Sequence, residues 1–148
     1  MTFRSFTPQD RAACLALFDS NTPPFFDSTE RALYEDFLHQ PEPYFVLEDD
    51  TGIVACGGLW LGAHLPEYTA GLSWAMVRRD QHGQGIGAHL LNARLDWLRT
   101  HRPDVQQLYI DTSHLTQGYY ERHGFRVTDR IENGFAPGMH QIKMTRPL

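Results

Sequence analysis

The stretch from Ala75 to Leu91, AMVRRDQHGQGIGAHLL, restricts what this chain can become more than any other. An apolar strand end and two arginines, Arg78 and Arg79, lead into three glycines at alternate positions and then an amphipathic helix. Residues without Cβ let the backbone turn sharply and come close to a bulky group. The helix adds unsatisfied N–H groups and the positive end of its dipole at the same place, a ready cradle for phosphate or pyrophosphate. Glycine also serves ordinary strand-to-helix reversals, so spacing decides. A Walker-type loop needs Lys-Ser or Lys-Thr after its last glycine, whereas Ala88 and His89 follow Gly87. A dinucleotide fingerprint needs G-x-G-x-x-G, and Gly83, Gly85 and Gly87 are spaced otherwise. Both nucleotide readings fail.

The remaining chain places this turn between a strand and a helix. Thr2 to Phe6 reads as a strand, and Thr7-Pro8-Gln9-Asp10 caps a helix to about Ser20, with Ala13, Cys14, Leu17 and Phe18 on its apolar stripe. Asn21-Thr22-Pro23-Pro24 breaks the chain. Phe25 and Phe26, which either plug the core or line a pocket, precede a second helix from Asp27-Ser28-Thr29-Glu30 to about Gln40. Tyr44 to Asp49 and Ile53 to Leu61 read as a hairpin, with Gly57-Gly58 marking a bulge or close approach, and Thr69 to Val77 is the strand that enters the glycine turn. Ile86, Leu90, Leu91, Leu95 and Leu98 recur at helical spacing, giving a helix to about Thr100. Val105 to Asp111 follows as a strand, parallel to its predecessor because a helix connects them. A short helix from Thr116 to Arg122 ends at Gly124, and Phe125 to Ile131 and His140 to Thr145 are the last strands, around a loop from Asn133-Gly134 to Pro137-Gly138.

Two motifs in this order carry a resemblance. His82-Gly83-Gln84-Gly85-Ile86-Gly87 is similar to the signature of the GNAT superfamily of N-acetyltransferases, in which Arg or Gln is followed by x-x-Gly-x-Gly or Ala, with His82 where the family usually has Arg or Gln. Tyr120-Glu121-Arg122-His123-Gly124-Phe125 resembles the Tyr-x-x-x-Gly-Phe ending of the family's last helix. The element order β-α-α-β-β-β-α-β-α-β-β also matches, so the resemblance spans nearly the whole chain. It implies an α+β fold, an α/β/α sandwich with a mixed central sheet of about seven strands, about four helices and parallel pairing of strands 4 and 5.

The resemblance further implies acetyl-CoA as cosubstrate and no metal. Backbone N–H groups of His82, Gly83, Gln84, Gly85, Ile86, Gly87 and Ala88 would bind its pyrophosphate, and the His82 ring would make that binding depend on pH. Met76 and Val77, at the strand end, would offer backbone groups to pantetheine and the thioester carbonyl. Ser113 stands where many relatives carry an Asn that contacts the pantetheine arm. Tyr120 matches the tyrosine that protonates the departing thiolate. A phenol with pKa about 10 can supply a proton to a thiolate whose acid has pKa about 8.5.

The implied reaction is direct attack of a primary amine, of a small molecule or peptide, on the thioester through a tetrahedral intermediate, with neither cysteine needed. An alkyl ammonium of pKa about 10.4 is only about 10⁻³ deprotonated at pH 7, a gap of roughly 4 to 5 kcal/mol that a base or a water chain must supply. The family's strand-five glutamate has no counterpart, since Leu108 takes that position; Asp111, His114 and Glu67 are substitutes by type. Phe26, Trp60, Trp74 and Asp111 are the candidate acceptor-site residues, with Tyr68 a further candidate for the aromatic wall. A non-catalytic acyl-CoA-binding regulatory module is the alternative.

Composition narrows the partners. One domain over residues 1–148 suits this length. With 13 Lys plus Arg against 18 Asp plus Glu the net charge is −5, which opposes non-specific binding to nucleic acid. The opening MTFRSFTPQD has no apolar h-region and no run of 18 apolar residues occurs, so neither a leader nor a membrane partner is expected. Cys14 and Cys56 lack metal or disulfide spacing and read as free thiols in a reducing, cytoplasmic setting. The family's habits leave a homodimer open.

Overall fold

The computed structural model describes every residue of 1–148 except Glu42 and Ala63. Seven strands, β1 (Thr2–Ser5), β2 (Tyr44–Asp49), β3 (Gly52–Trp60), β4 (Thr69–Val77), β5 (Gln107–Ser113), β6 (Arg126–Ala136) and β7 (Met139–Pro147), form one sheet in the order β1-β2-β3-β4-β5-β7-β6. Four helices accompany them: α1 (Arg11–Ser20), α2 (Arg31–Phe37), α3 (Ile86–His101) and α4 (Gln117–Arg122). Pairing is antiparallel everywhere except between β4 and β5, as the helical crossover requires. The mixed α+β sandwich read from the chain is therefore the observed one.

Strand periodicity builds the two faces. In β2, Tyr44 and Val46 join Cys14, Leu17 and Phe18 of α1 and Tyr34 of α2, while Phe45 and Leu47 turn to the opposite face. There Leu90, Leu91, Leu95 and Leu98 of α3 pack on the sheet. Both cysteines are free and buried. No helix among the described residues is long and apolar enough to cross a membrane.

Asp10 fixes the start of α1. Its carboxylate accepts from both terminal nitrogens of Arg4 (2.7 and 2.9 Å) and from the Thr7 N–H (2.8 Å), and the Arg4 guanidinium holds its pKa below the usual carboxylate value. Asp10→Ala is expected to cost about 2 kcal/mol, because Arg4 is a third exposed and keeps part of its solvation. A carboxyl with a lowered folded pKa stabilises above the unfolded value of about 3.9 and loses that contribution as pH falls through the folded value. Urea unfolding should therefore show a steeper loss of stability on acidification below about pH 4 in the wild type than in the variant.

Three departures from the sequence reading have a local cause. Helix α2 stops at Phe37 rather than near Gln40, and His39 and Gln40 continue in i→i+3 turns (3.1 and 3.2 Å) that deliver the chain to Pro41. Strand β5 begins at Gln107 rather than Val105, whose N–H closes a turn onto Arg102. The Asn133-Gly134 pair lies inside β6, where the ladder is interrupted between Ile131 and Ala136. The reversal falls at Pro137-Gly138, because the Asn133 side chain accepts from the Gly138 N–H (2.6 Å) and keeps the two strands together up to the turn.

Candidate active site

The central strands separate halfway along their length. β4 and β5 are paired from Thr69↔Gln107 to Leu72↔Ile110 and no further, although β4 continues to Val77 and β5 to Ser113. The outer halves remain paired to β3 and β7 respectively, so a V opens in the middle of the sheet.

A bulge drives the separation. Cys56 pairs with Met76 and Gly58 with Ser73, which leaves Trp74 and Ala75 of β4 opposite Gly57 alone. Trp74 has φ 43°, in the left-handed region that bulky residues seldom enter. The Tyr44 hydroxyl donates to its carbonyl oxygen at 2.7 Å, and its ring packs with Phe26, Tyr34 and Phe37 (centroids 6.1, 5.0 and 6.1 Å).

The glycine turn and α3 close one mouth of the V. Gly83 and Gly85 adopt left-handed φ values of 79° and 80°, and Gly85 is the residue before the first turn of α3. The first helical hydrogen bond runs from the His89 N–H to the Gly85 carbonyl (3.1 Å), so the N–H groups of Ile86, Gly87 and Ala88 stay outside the helical ladder. Gly87 faces the Tyr119 hydroxyl so closely that an added Cβ would lie 2.8 Å from it. That hydroxyl is buried and has no protein partner among the described residues. His82 is tied back to the strand end, its Nε2 donating to the Val77 carbonyl at 2.8 Å, which the Asn21 amide also reaches at 2.9 Å.

One cleft of about 870 Å³ joins these parts. Met76, Val77, His82, Gly83, Gly85, Ile86, Gly87, Ala88, Ser113, Tyr120, Phe26, Trp60, Trp74 and Asp111, singled out from the chain, all line it. Gln84 does not: it is exposed at the tip of the turn. Glu67 and Tyr68 lie beyond the other end of β4, on a separate hollow with Gln106 and Arg126, so neither joins this wall. His114 is outside the cleft as well, its Nδ1 accepting from the His140 N–H at 3.2 Å. Asp111 accepts twice from the Gln141 amide, 2.7 Å to each oxygen. The Ser113 hydroxyl donates to no protein group among the described residues, while its carbonyl accepts from Thr116.

Tyr120 lies in the interior of the cleft, 8% exposed, with its ring edge-on to Phe125 (5.4 Å) and Tyr119 (5.1 Å). Burial pushes its phenol pKa up to about 12, against the opposing pull of the Arg94 charge. Arg94, Asn21, Tyr119, Phe135 and Met139 line the cleft without having been singled out. Arg94 did leave a trace in the sequence: it sits four residues from both Leu90 and Leu98, a charge on the apolar face of α3.

Residues 11–125 match the model of the acetyltransferase (GNAT) family. The chain belongs to that family. No curated protein sequence matches the chain. Among solved structures it is similar to a candidate GNAT-family acetyltransferase from Desulfovibrio desulfuricans, with 19% identity, 99% of this chain and 98% of that chain covered, and a TM-score of 0.80. It is similar to the ribosomal-protein-S18-alanine N-acetyltransferase of Escherichia coli at 21% identity, covering 99% and 92%, TM-score 0.77. An aminoglycoside 6′-N-acetyltransferase complexed with coenzyme A matches at 14% identity over 99% and 97%, TM-score 0.76. At these identities the likeness is one of fold.

Proposed function

We propose that residues 1–148 act as one N-acetyltransferase domain, passing an acetyl group from acetyl-CoA to the primary amine of a small molecule or peptide. The observation that carries this reading is the splay itself, with N–H groups outside the helical ladder at one mouth and Tyr120, buried and with its phenol pKa pushed up to about 12, lining the cleft. The cradle suits a pyrophosphate: left-handed glycines aim the backbone outward, and the N–H groups of Ile86, Gly87 and Ala88 meet the positive end of α3. The free edges at Met76, Val77 and Ser113 suit the amide-bearing pantetheine arm. The coenzyme A held by the aminoglycoside enzyme supports an acyl-CoA donor. The acceptor mouth joins the rings of Phe26, Trp60 and Trp74 to the carboxylates of Glu30 and Asp111, a combination that suits a cationic amine. Free buried thiols agree with a cytoplasmic setting.

Each residue then has a defined task. The N–H groups orient the donor, the Val77 region offers a donor to the thioester oxygen, and Tyr120 gives its proton to sulfur as the carbon–sulfur bond breaks. An amine panel of polyamines, amino acids and short peptides, assayed for CoA release, tests turnover and separates this reading from a non-catalytic acyl-CoA-binding module. The pH profile follows from Tyr120. With its pKa at about 12 the phenol stays protonated across the assay range, so kcat should rise from pH 7 as the amine, of pKa about 10.4, loses its proton. No decline attributable to Tyr120 should set in below about pH 11. A bell-shaped profile falling above pH 9 in folded enzyme would remove Tyr120 from the acid's role.

A further inference from the structure

Arg94 is the residue of the cleft whose position its fold alone does not explain. It is 2% exposed and lies midway along α3, on the face packed against the sheet. Two of its five N–H donors are used: Nε to the Leu90 carbonyl at 3.3 Å and one terminal nitrogen to the Gly58 carbonyl at 3.0 Å. Gly58 flanks the β4 bulge, so that bond has a structural purpose. The other three donors meet no protein acceptor among the described residues, and no carboxylate pairs with the guanidinium.

Burying an unpaired cation costs several kcal/mol. The titratable groups that act on it most strongly are Tyr120 and Tyr119 of α4, Tyr44 of β2 and Cys56 of β3. Cys56 belongs to the opposite face, where Tyr34 and Tyr44 surround its sulfur (3.4 and 3.2 Å). The cleft's carboxylates have other partners: Glu30 accepts from the Asp27 N–H and Asp111 from the Gln141 amide. The cleft thus holds a buried positive charge with unused donors, and among the described residues no carboxylate is bonded to it.

The anion is not the pyrophosphate, because Arg94 lies eight residues beyond Ile86, about 12 Å along the helix axis from the cradle. Tyr120, the proposed proton donor, lines the same cleft, and the Arg94 charge acts on its phenol. We infer that Arg94 stabilises the sulfur anion that forms when the thioester breaks. This rests on the acyl-CoA reading of the cleft.

In the step concerned, the amine nitrogen forms a bond to the carbonyl carbon and the carbon–sulfur bond breaks with its electron pair left on sulfur. The Tyr120 proton moves to that sulfur, the nitrogen gives up its extra proton to solvent, and the phenolate recovers a proton from solvent. Arg94 lowers the energy of the state in which sulfur carries the charge before the proton arrives.

The product complex reports this directly. Ultraviolet titration of coenzyme A bound to wild-type protein, with sulfur-free desulfo-CoA as the blank, should show the thiol half-ionised about one pH unit lower than in the same complex of the Arg94→Gln variant. Arg94→Gln keeps a donor for the Gly58 carbonyl and removes the charge. It should raise the titration by about that unit and lower kcat about 10-fold with acetyl-CoA affinity unchanged, while Arg94→Lys keeps the lower titration. A wild-type thiol that titrates no lower than that of the Arg94→Gln variant while coenzyme A binds would overturn the inference and leave the acyl-CoA reading intact. Identical titrations in the Gln and Lys variants would reduce Arg94 to a structural plug. No binding of coenzyme A would overturn both readings.

Discussion

Tyr120→Phe leaves acetyl-CoA binding at wild-type strength and lowers kcat by about 10²-fold, the expected effect of deleting a positioned general acid. The substitution removes one oxygen and keeps the ring, so the contacts with Phe125 and Tyr119 survive and the core is not opened. Burial holds the phenol neutral, its pKa at about 12, so at neutral pH the proton is always present to be given. The neighbouring Tyr119 faces Gly87 instead, at the start of α3, and cannot take over without moving. Calorimetry for affinity and steady-state turnover for kcat check the two halves separately. Full turnover in the Phe variant would mean that the acid lies elsewhere.

Gly85→Val raises the dissociation constant for acetyl-CoA by about 10- to 100-fold. No atom stands within 4 Å of an added Cβ, so the effect does not come from a clash. It comes from φ 80°, which a β-branched residue tolerates poorly. Relieving about 1 to 3 kcal/mol of strain rotates the peptide planes on either side, and the N–H groups turn away from the point at which they converge. Gly85→Ala should do the same to a lesser extent. Affinity is read by calorimetry, and unchanged binding in the Val variant would show that the turn is only a connection.

The strand-turn-helix order was legible because hydrophobic period and glycine spacing are local properties. Helix α3 follows directly, and with it the parallel pairing of β4 and β5. The bulge was not. Ser73-Trp74-Ala75 carries no turn chemistry, and Trp74 enters the left-handed region because Tyr44, thirty residues earlier, binds its carbonyl. Asn133-Gly134 had the reverse outcome: strong turn chemistry that the fold uses inside a strand, since Asn133 and Gly138 are bonded across the hairpin. Glu67 and Tyr68 were eligible by residue type alone, which carries no information about which end of β4 they occupy. Arg94 was visible as a charge on an apolar stripe. Its meaning needed the splay and Tyr120 in the same cleft.

A calorimetric titration of the purified protein with acetyl-CoA, with ATP and NAD as controls, tests the central claim most directly. Saturable binding of one acetyl-CoA per chain, tighter than either control, is the predicted result. No heat with acetyl-CoA, or equal or tighter binding of ATP or NAD, would contradict the assignment of the splayed cleft to an acyl-CoA.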